Sequence, residues 1–454
     1  MKAKSSTSNW GSRFGFLMVA AGAAIGLGNI WKFPYLAYRG GGGIFLLIYV
    51  LIVFIMAHPM VEMETAIGRH GGKDTVTNFE VTNRKWGFVG WIANICTLMI
   101  NFYYVVVGGW VLKYAWTFIT SGDFGSDANM FFQNFISSPV EPIVWALGLL
   151  LFVMIMLLFG ITGYIEKFSK VIMPGLAILL VFCSIYSLTV QEGAAEGLKY
   201  YLLPDFSKFN IKVFADAATQ VLFSVGIGWG IFTTLGANVP KKNNIRKDAI
   251  FISIADTALA ILAGFVIIPT AFGAGVDVQK GPALIFDVMS NIYNGLPGGR
   301  FIGSFFFAAI ALAVISSLFT FIEISVRTFE HKFHMRRRYA VLTSTIVIGL
   351  GNILVSLGFG PLKDVTLPWP SFGGIEHYGF YDWFDCFSGY VLLPLGCLLV
   401  CYFVARVWKF KNYEKELTAD GRDGKLRTWD KWLTIVVVPA LMIVVLLNVF
   451  GVIK

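Results

Sequence analysis

A chain of 454 residues that is 56% hydrophobic and only 14% charged, with a mean hydropathy of +0.70, is not a soluble domain; those carry about 25% charged residues. Its apolar residues fall in blocks of membrane-spanning length instead of on one helical face, which excludes a large soluble core. The net charge of +9 would suit nucleic acid in a soluble protein, but most of the 36 Lys and Arg residues lie in alternate loops, and this points to a lipid bilayer and not to nucleic acid.

A membrane helix needs about 20 mostly apolar residues. The pattern predicts eleven spans, at about 14–38, 43–68, 87–118, 142–160, 168–189, 213–239, 248–274, 301–330, 339–358, 378–405 and 432–452. The first apolar stretch has no small-residue cleavage site and reads as a retained span. With the N-terminus in the cytoplasm, the inner segments carry Lys241, Lys242, Arg246, Lys247 and the run Arg336, Arg337, Arg338. That orients a multi-pass cell-membrane protein and puts Lys454 outside. Segments 121–142 and 190–212 are long enough for short surface helices. Segment 276–300, with Gly281-Pro282 and Leu296-Pro297-Gly298-Gly299, is predicted to turn back on itself, as a lid or as a plain connector. Inner segment 408–431 is charged and reads as a solvated loop. Cys96, Cys183, Cys386, Cys397 and Cys401 all fall in spans, at no spacing that suits a metal or a disulfide framework.

Two spans are unusual. Span 1 reads Ala20-Ala21-Gly22-Ala23-Ala24-Ile25-Gly26-Leu27-Gly28-Asn29, and span 6 reads Phe223-Ser224-Val225-Gly226-Ile227-Gly228-Trp229-Gly230. Closely spaced glycines favour opening of a helix. Either run alone suits close packing of small residues. Two of them five spans apart predict two halves, 14–189 and 213–405, with an extra helix at 432–452: an all-α, five-plus-five inverted repeat with helices 1 and 6 broken at the bilayer midplane. Opening frees backbone groups that hydrocarbon cannot satisfy. Freed N–H groups suit an anionic group, and freed carbonyls suit a hard cation such as sodium.

The run Gly22…Ile25-Gly26-Leu27-Gly28-Asn29-Ile30-Trp31-Lys32-Phe33-Pro34-Tyr35, followed by Gly40-Gly41-Gly42-Gly43, resembles the signature of the neurotransmitter:sodium symporters, the family that includes bacterial leucine-transporter-like proteins. Gly68-Arg69, Asn101-Phe102-Tyr103-Tyr104, Glu166-Lys167 and Met173-Pro174 extend the likeness over spans 1–10. The inverted-repeat rule was drawn in part from this family, so the two readings are not independent. The resemblance implies sodium-coupled import of a small neutral amino acid by alternating access. The substrate carboxylate would meet the Leu27 and Gly28 amides and the Tyr104 hydroxyl, beside Gly26 and Ser224. Ala23, Ile100, Phe223, Gly226, Trp229, Ser317 and Phe321 would line the side-chain pocket, with Phe223 as its lid. One sodium would take the Ala24 carbonyl, Asn29, Ser224 and Asp256. A second would take the Gly22, Ile25 and Ala313 carbonyls and the Ser316 and Ser317 hydroxyls. Asp256 is a lone carboxylate in an apolar span, which by default is functional; its charge would make chloride unnecessary. Lys32 and Asp385, with Gln220 nearby and Asp382 as an alternative partner, would form the outer gate. Trp10 and Arg13 would belong to the inner one.

The chain departs from the pattern at the inner gate, where His331 stands for an aspartate and Asn238 for a tyrosine, and at Tyr164, where glycine is common. No acid at Ala23 argues against a monoamine. Gly226 enlarges the pocket while Trp229 and Phe321 reduce it, which favours a small aliphatic side chain, with an aromatic one as competitor. A carrier or sensor of another small solute, such as a small aromatic compound, is the alternative. A proton-coupled carrier using Asp256, Glu62, Glu64 or Glu323 is a further one. No nucleophile–base set, metal cluster or nucleotide motif suggests an enzyme.

Overall fold

A computed structural model describes residues 9–125, 128–190, 192–275, 284–296, 298–371, 374–421 and 425–452. Gly281-Pro282 and Pro297 lie outside the described residues. Among the described residues the fold is helical, apart from one hairpin, Leu367–Ser371 with Gly374–Tyr378, between spans 9 and 10. Among the described residues nine helices are long and apolar enough to cross a membrane: Gly43–Gly71, Arg84–Thr120, Glu141–Leu158, Ile161–Val190, Ile245–Gly273, Gly299–Lys332, Arg337–Leu357, Phe380–Asp420 and Thr428–Val449. They are spans 2–5 and 7–11. Span 1 is a bent pair, Arg13–Ala24 and Gly28–Arg39, with 55° between its halves. Span 6 is divided into Ile211–Val225 and Ile231–Gly236, each too short to cross alone.

Local chemistry sets these limits. Ser12, Asn210 and Asn244 each accept a backbone N–H in the first turn of the helix they open, at spans 1, 6 and 7. Close packing of spans 2 and 6 requires glycine on both sides. A Cβ at Gly68 would lie 2.2 Å from the Thr233 carbonyl oxygen, and one at Gly236 would lie 2.5 Å from the Thr65 carbonyl oxygen. This contact fixes the second half of span 6 against span 2. Spans 3 and 8 pack along each other behind the broken helices, and span 5 packs against spans 1, 7 and 8.

The surface helices expected outside form at Ala128–Ser137 and Ala194–Leu202. One expectation is corrected. The first part of the inner segment after Trp408 is not a solvated loop: span 10 continues through a kink at Lys409 (φ +67°) into helix Phe410–Leu417, which buries Tyr413, Glu416 and Leu417. Glu416 accepts from Arg69 at the end of span 2 at 2.7 Å and pairs with Lys241 at 2.7 Å. Tyr413 donates to Glu62 at 2.7 Å. Buried carboxylates recruited these basic partners across the chain. In span 5, Tyr164 is exposed within a π turn, Ile161–Ile165, so this end is wound and not opened.

Candidate functional site

The first half of span 1 ends at Ala24, and Ile25 is extended (ψ 100°). The freed groups find specific partners. Gly26 N–H donates to Asn29 Oδ1 at 3.0 Å, and Leu27 N–H donates to the Tyr104 hydroxyl at 3.0 Å. In span 6 the helix stops because Gly226, Gly228 and Gly230 adopt φ of +79°, +85° and +82°, which side chains rarely tolerate. Gly228 N–H donates to Glu64 Oε1 at 2.6 Å, and Thr97 donates to the Trp229 carbonyl at 2.6 Å. Glu64 and Thr97 were not singled out for this from sequence; they come from spans 2 and 3.

Two oxygen clusters flank the span 1 break. In the first, Ser316 and Ser317 donate to the Gly22 carbonyl at 3.1 and 3.0 Å, and Ser317 also reaches the Ile25 carbonyl at 3.2 Å. Both hydroxyls lie within 3.0 Å of the Ala313 carbonyl. Three carbonyls and two hydroxyls, from spans 1 and 8, therefore meet at one point. In the second, Asp256 is fully buried and bonded only by neutral groups. Asn29 Nδ2 donates to its Oδ1 at 2.6 Å; Ser224 and Tyr49 donate to its Oδ2 at 2.8 and 3.4 Å. Asn29 Nδ2 also reaches Ser224 at 2.9 Å. Ala24 is buried next to Ile25. Tyr49 lies in an apolar block of span 2 and carried no signal in the sequence.

The aromatic residues named for the pocket touch one another. Trp229 packs on Phe223 at 5.3 Å and on Phe321 at 4.8 Å between centroids, and Phe321 meets Tyr104 at 5.2 Å. Ala23 and Ile100 are buried in the same core. The Trp229 indole N–H is buried with no acceptor among the described residues. A Cβ at Gly28 would sit 2.8 Å from the Phe223 ring, and one at Gly26 would sit 2.4 Å from the Tyr104 hydroxyl.

Above Phe223 lies a cavity of about 200 Å³ bounded by Trp31, Tyr103, Tyr381 and Asp382. Lys32 is 3.8 Å from Asp385 there, and its ammonium lies over the Phe223 and Tyr390 rings at 4.6 and 4.9 Å. Gln220 donates to the Gly28 carbonyl, one turn from Lys32, at 2.8 Å and so braces the span 1 break. At the other end, Trp10 donates to the Leu235 carbonyl at 3.2 Å, and its N–H reaches the Asn238 carbonyl. Gly11 N–H donates to Glu166 at 2.8 Å. Arg13 pairs with Asp248 of span 7 at 2.7 Å. The basic residue at the span 1 end thus has its acid in span 7, and not at the span 8 position where His331 stands for an aspartate. Of the carboxylates considered as proton carriers, Glu62 is paired with Arg246 at 3.0 Å, and Glu323 with Arg327 and Arg337 at 3.0 and 2.7 Å.

The profile of the Sodium:neurotransmitter symporter family matches residues 7–130 and 132–454. This chain belongs to that family. It is 32% identical to an uncharacterized sodium-dependent transporter, YhdH, of Bacillus subtilis (strain 168), over 98% of both chains. It is 25% identical to a sodium- and chloride-dependent taurine transporter of Canis lupus familiaris, over 96% of this chain and 76% of that one. Among solved structures, that of MhsT in complex with L-phenylalanine superposes with a TM-score of 0.89 at 32% identity, over 98% of this chain and 100% of that chain. The symporter is therefore an all-helical, multi-pass membrane protein with the bacterial leucine-transporter-like fold; it is a sodium-dependent transporter of a small molecule and not an enzyme.

Proposed function

We propose that this symporter imports a small neutral amino acid with sodium, N-terminus in the cytoplasm, from a site between the breaks of spans 1 and 6. The observation that carries the reading is the pair of oxygen clusters beside the span 1 break. One is built only from neutral oxygens and the other holds a buried carboxylate with no cationic side chain. A monovalent hard cation completes both sets. The carboxylate of an amino acid would replace the Tyr104 hydroxyl on Leu27 N–H and approach the cation at Asn29 and Asp256. Substrate and ion would then each lower the cost of burying the other. The L-phenylalanine in the MhsT complex supports an amino acid. The contact between Trp229 and Phe321 supports a small side chain here, since a large one must part the rings.

Lys32 and Asp385 would close the path above Phe223. The Arg13–Asp248 pair and the Trp10 and Glu166 contacts would close the path below. The two repeats, 14–189 and 213–405, would rock between these closures.

Uptake by proteoliposomes loaded with potassium tests the reading, with labelled amino acids and with or without external sodium. Sodium-dependent accumulation that is lost in Asn29→Ala and in Ser317→Ala is the expected result. No accumulation of any amino acid by protein that still binds sodium would shift the assignment to another small solute, carried or sensed.

A further inference from the structure

We infer that a groove between spans 10 and 11 is a binding site for one anionic phospholipid, with Arg406 as its headgroup ligand. The groove holds about 650 Å³ and is walled by Leu398, Leu399, Tyr402, Ile435, Pro439 and Trp86. Both helices carry a π turn at this level, Phe403–Lys409 in span 10 and Leu433–Val437 in span 11. The extra residue in each π turn widens the helix and interrupts close packing, whereas the neighbouring segments Leu393–Tyr402 and Val438–Val449 stay packed together.

The depth of the groove fits a lipid. Arg406 lies in the last turn of span 10 before the kink at Lys409, where the apolar stretch gives way to the charged helix Phe410–Leu417, and this sets it at the interface end of the span. Aromatic residues mark the same level. Trp86 stacks on Tyr402 at 5.5 Å, and Trp429 and Trp432 are exposed. From Arg406 the apolar wall runs about two turns inward to Leu398, about 12 Å, enough to hold the upper part of an acyl chain.

The charge of the groove favours an anionic headgroup over a neutral one. Arg406 is exposed and lines the groove, and among the described residues no acid pairs with it. The neighbouring acids are engaged elsewhere. Asp430 Oδ2 takes Arg246 at 3.1 Å and the Arg427 N–H at 2.9 Å, and Glu416 takes Arg69 and Lys241. Arg84 and Lys85 directly precede Trp86 and are exposed, without an acidic partner among the described residues. A guanidinium at the interface offers paired donors to a phosphate, and an unpaired one in a membrane groove attracts it.

Native mass spectrometry of the full chain tests the site, with phosphatidylglycerol and phosphatidylcholine of matched chains titrated into delipidated protein. One phosphatidylglycerol should survive activation that strips phosphatidylcholine. Arg406→Gln should lower its apparent affinity about fivefold. Ile435→Trp, which fills the groove from an exposed position, should lower retention of that same lipid while Arg406 stays intact. Both variants should remain monodisperse. Equal retention of the two lipids by the wild-type chain, or undiminished phosphatidylglycerol binding in Arg406→Gln, would overturn the assignment.

Discussion

Asp256 accepts hydrogen bonds from Asn29, Ser224 and Tyr49, and none of these neutralises it. Charge-assisted contacts are roughly twice as strong as neutral ones. Asp256→Asn keeps the shape and removes the charge, so the sodium concentration that half-saturates uptake should rise at least about tenfold, a loss of about 1.5 kcal/mol or more. A sodium titration of uptake reads this directly, and an unchanged midpoint would take Asp256 out of the ion site. Gly26 gives a steric counterpart. Its missing Cβ would lie 2.4 Å from the Tyr104 hydroxyl and 3.0 Å from Ser317 Oγ, both held in buried networks. Gly26→Ala should therefore abolish uptake while the protein still folds, and Gly148→Ala, where a Cβ meets nothing within 4 Å, should leave uptake intact. Size-exclusion profiles beside transport assays separate the two effects.

At the scale of elements, the breaks of spans 1 and 6 were legible because glycine spacing is a local signal. Asn29, Ser316 and Ser317 were legible through the family signature and their place beside the breaks. Tyr49, Asp248 and the contact of Glu64 with the span 6 break were not, because each meets its partner across a long stretch of chain. The helix Phe410–Leu417 escapes a sequence reading for the same reason: its one buried charge, Glu416, meets Arg69 and Lys241 from distant parts of the chain. Inner closure, as proposed, would rest on the Arg13–Asp248 contact between spans 1 and 7. Arg13 is half-exposed and Asp248 is buried, so solvent screens part of the pair, and its loss should shift the conformational balance by about 1 kcal/mol, roughly fivefold. Hydrogen exchange along Arg13–Ala24 should quicken by that factor in Arg13→Gln and in Asp248→Asn, and no further in the double variant. Additive effects in the double variant would mean that the two residues act apart. In span 6, Gly228→Ala adds a left-handed strain of about 1–2 kcal/mol and sets a methyl 2.8 Å from the Leu393 carbonyl oxygen. Loss of uptake with sodium binding retained is the expected pattern.

For the whole molecule, transport requires that charge entering the bilayer be balanced within the protein. The taurine transporter relative is, by name, sodium- and chloride-dependent. In this chain a buried carboxylate, Asp256, is already part of the oxygen cluster beside the span 1 break. A fixed negative charge there would do the electrostatic work of a bound anion, because two ions of opposite sign a few ångströms apart attract by about 4 kcal/mol at an effective dielectric of 20. With Asp256 and the substrate carboxylate both beside the sodium, a chloride would be a further negative charge and would add repulsion of the same order. Sodium-driven uptake should therefore be unchanged when gluconate replaces chloride on both sides of the membrane. It should become weak in Asp256→Asn, and in that variant chloride should restore part of it, because the anion then has room and a cation to pair with. Uptake by the wild-type chain that falls several-fold in gluconate would show that the carboxylate does not take the anion's place, and the charge balance would then have to come from a chloride site elsewhere in the fold.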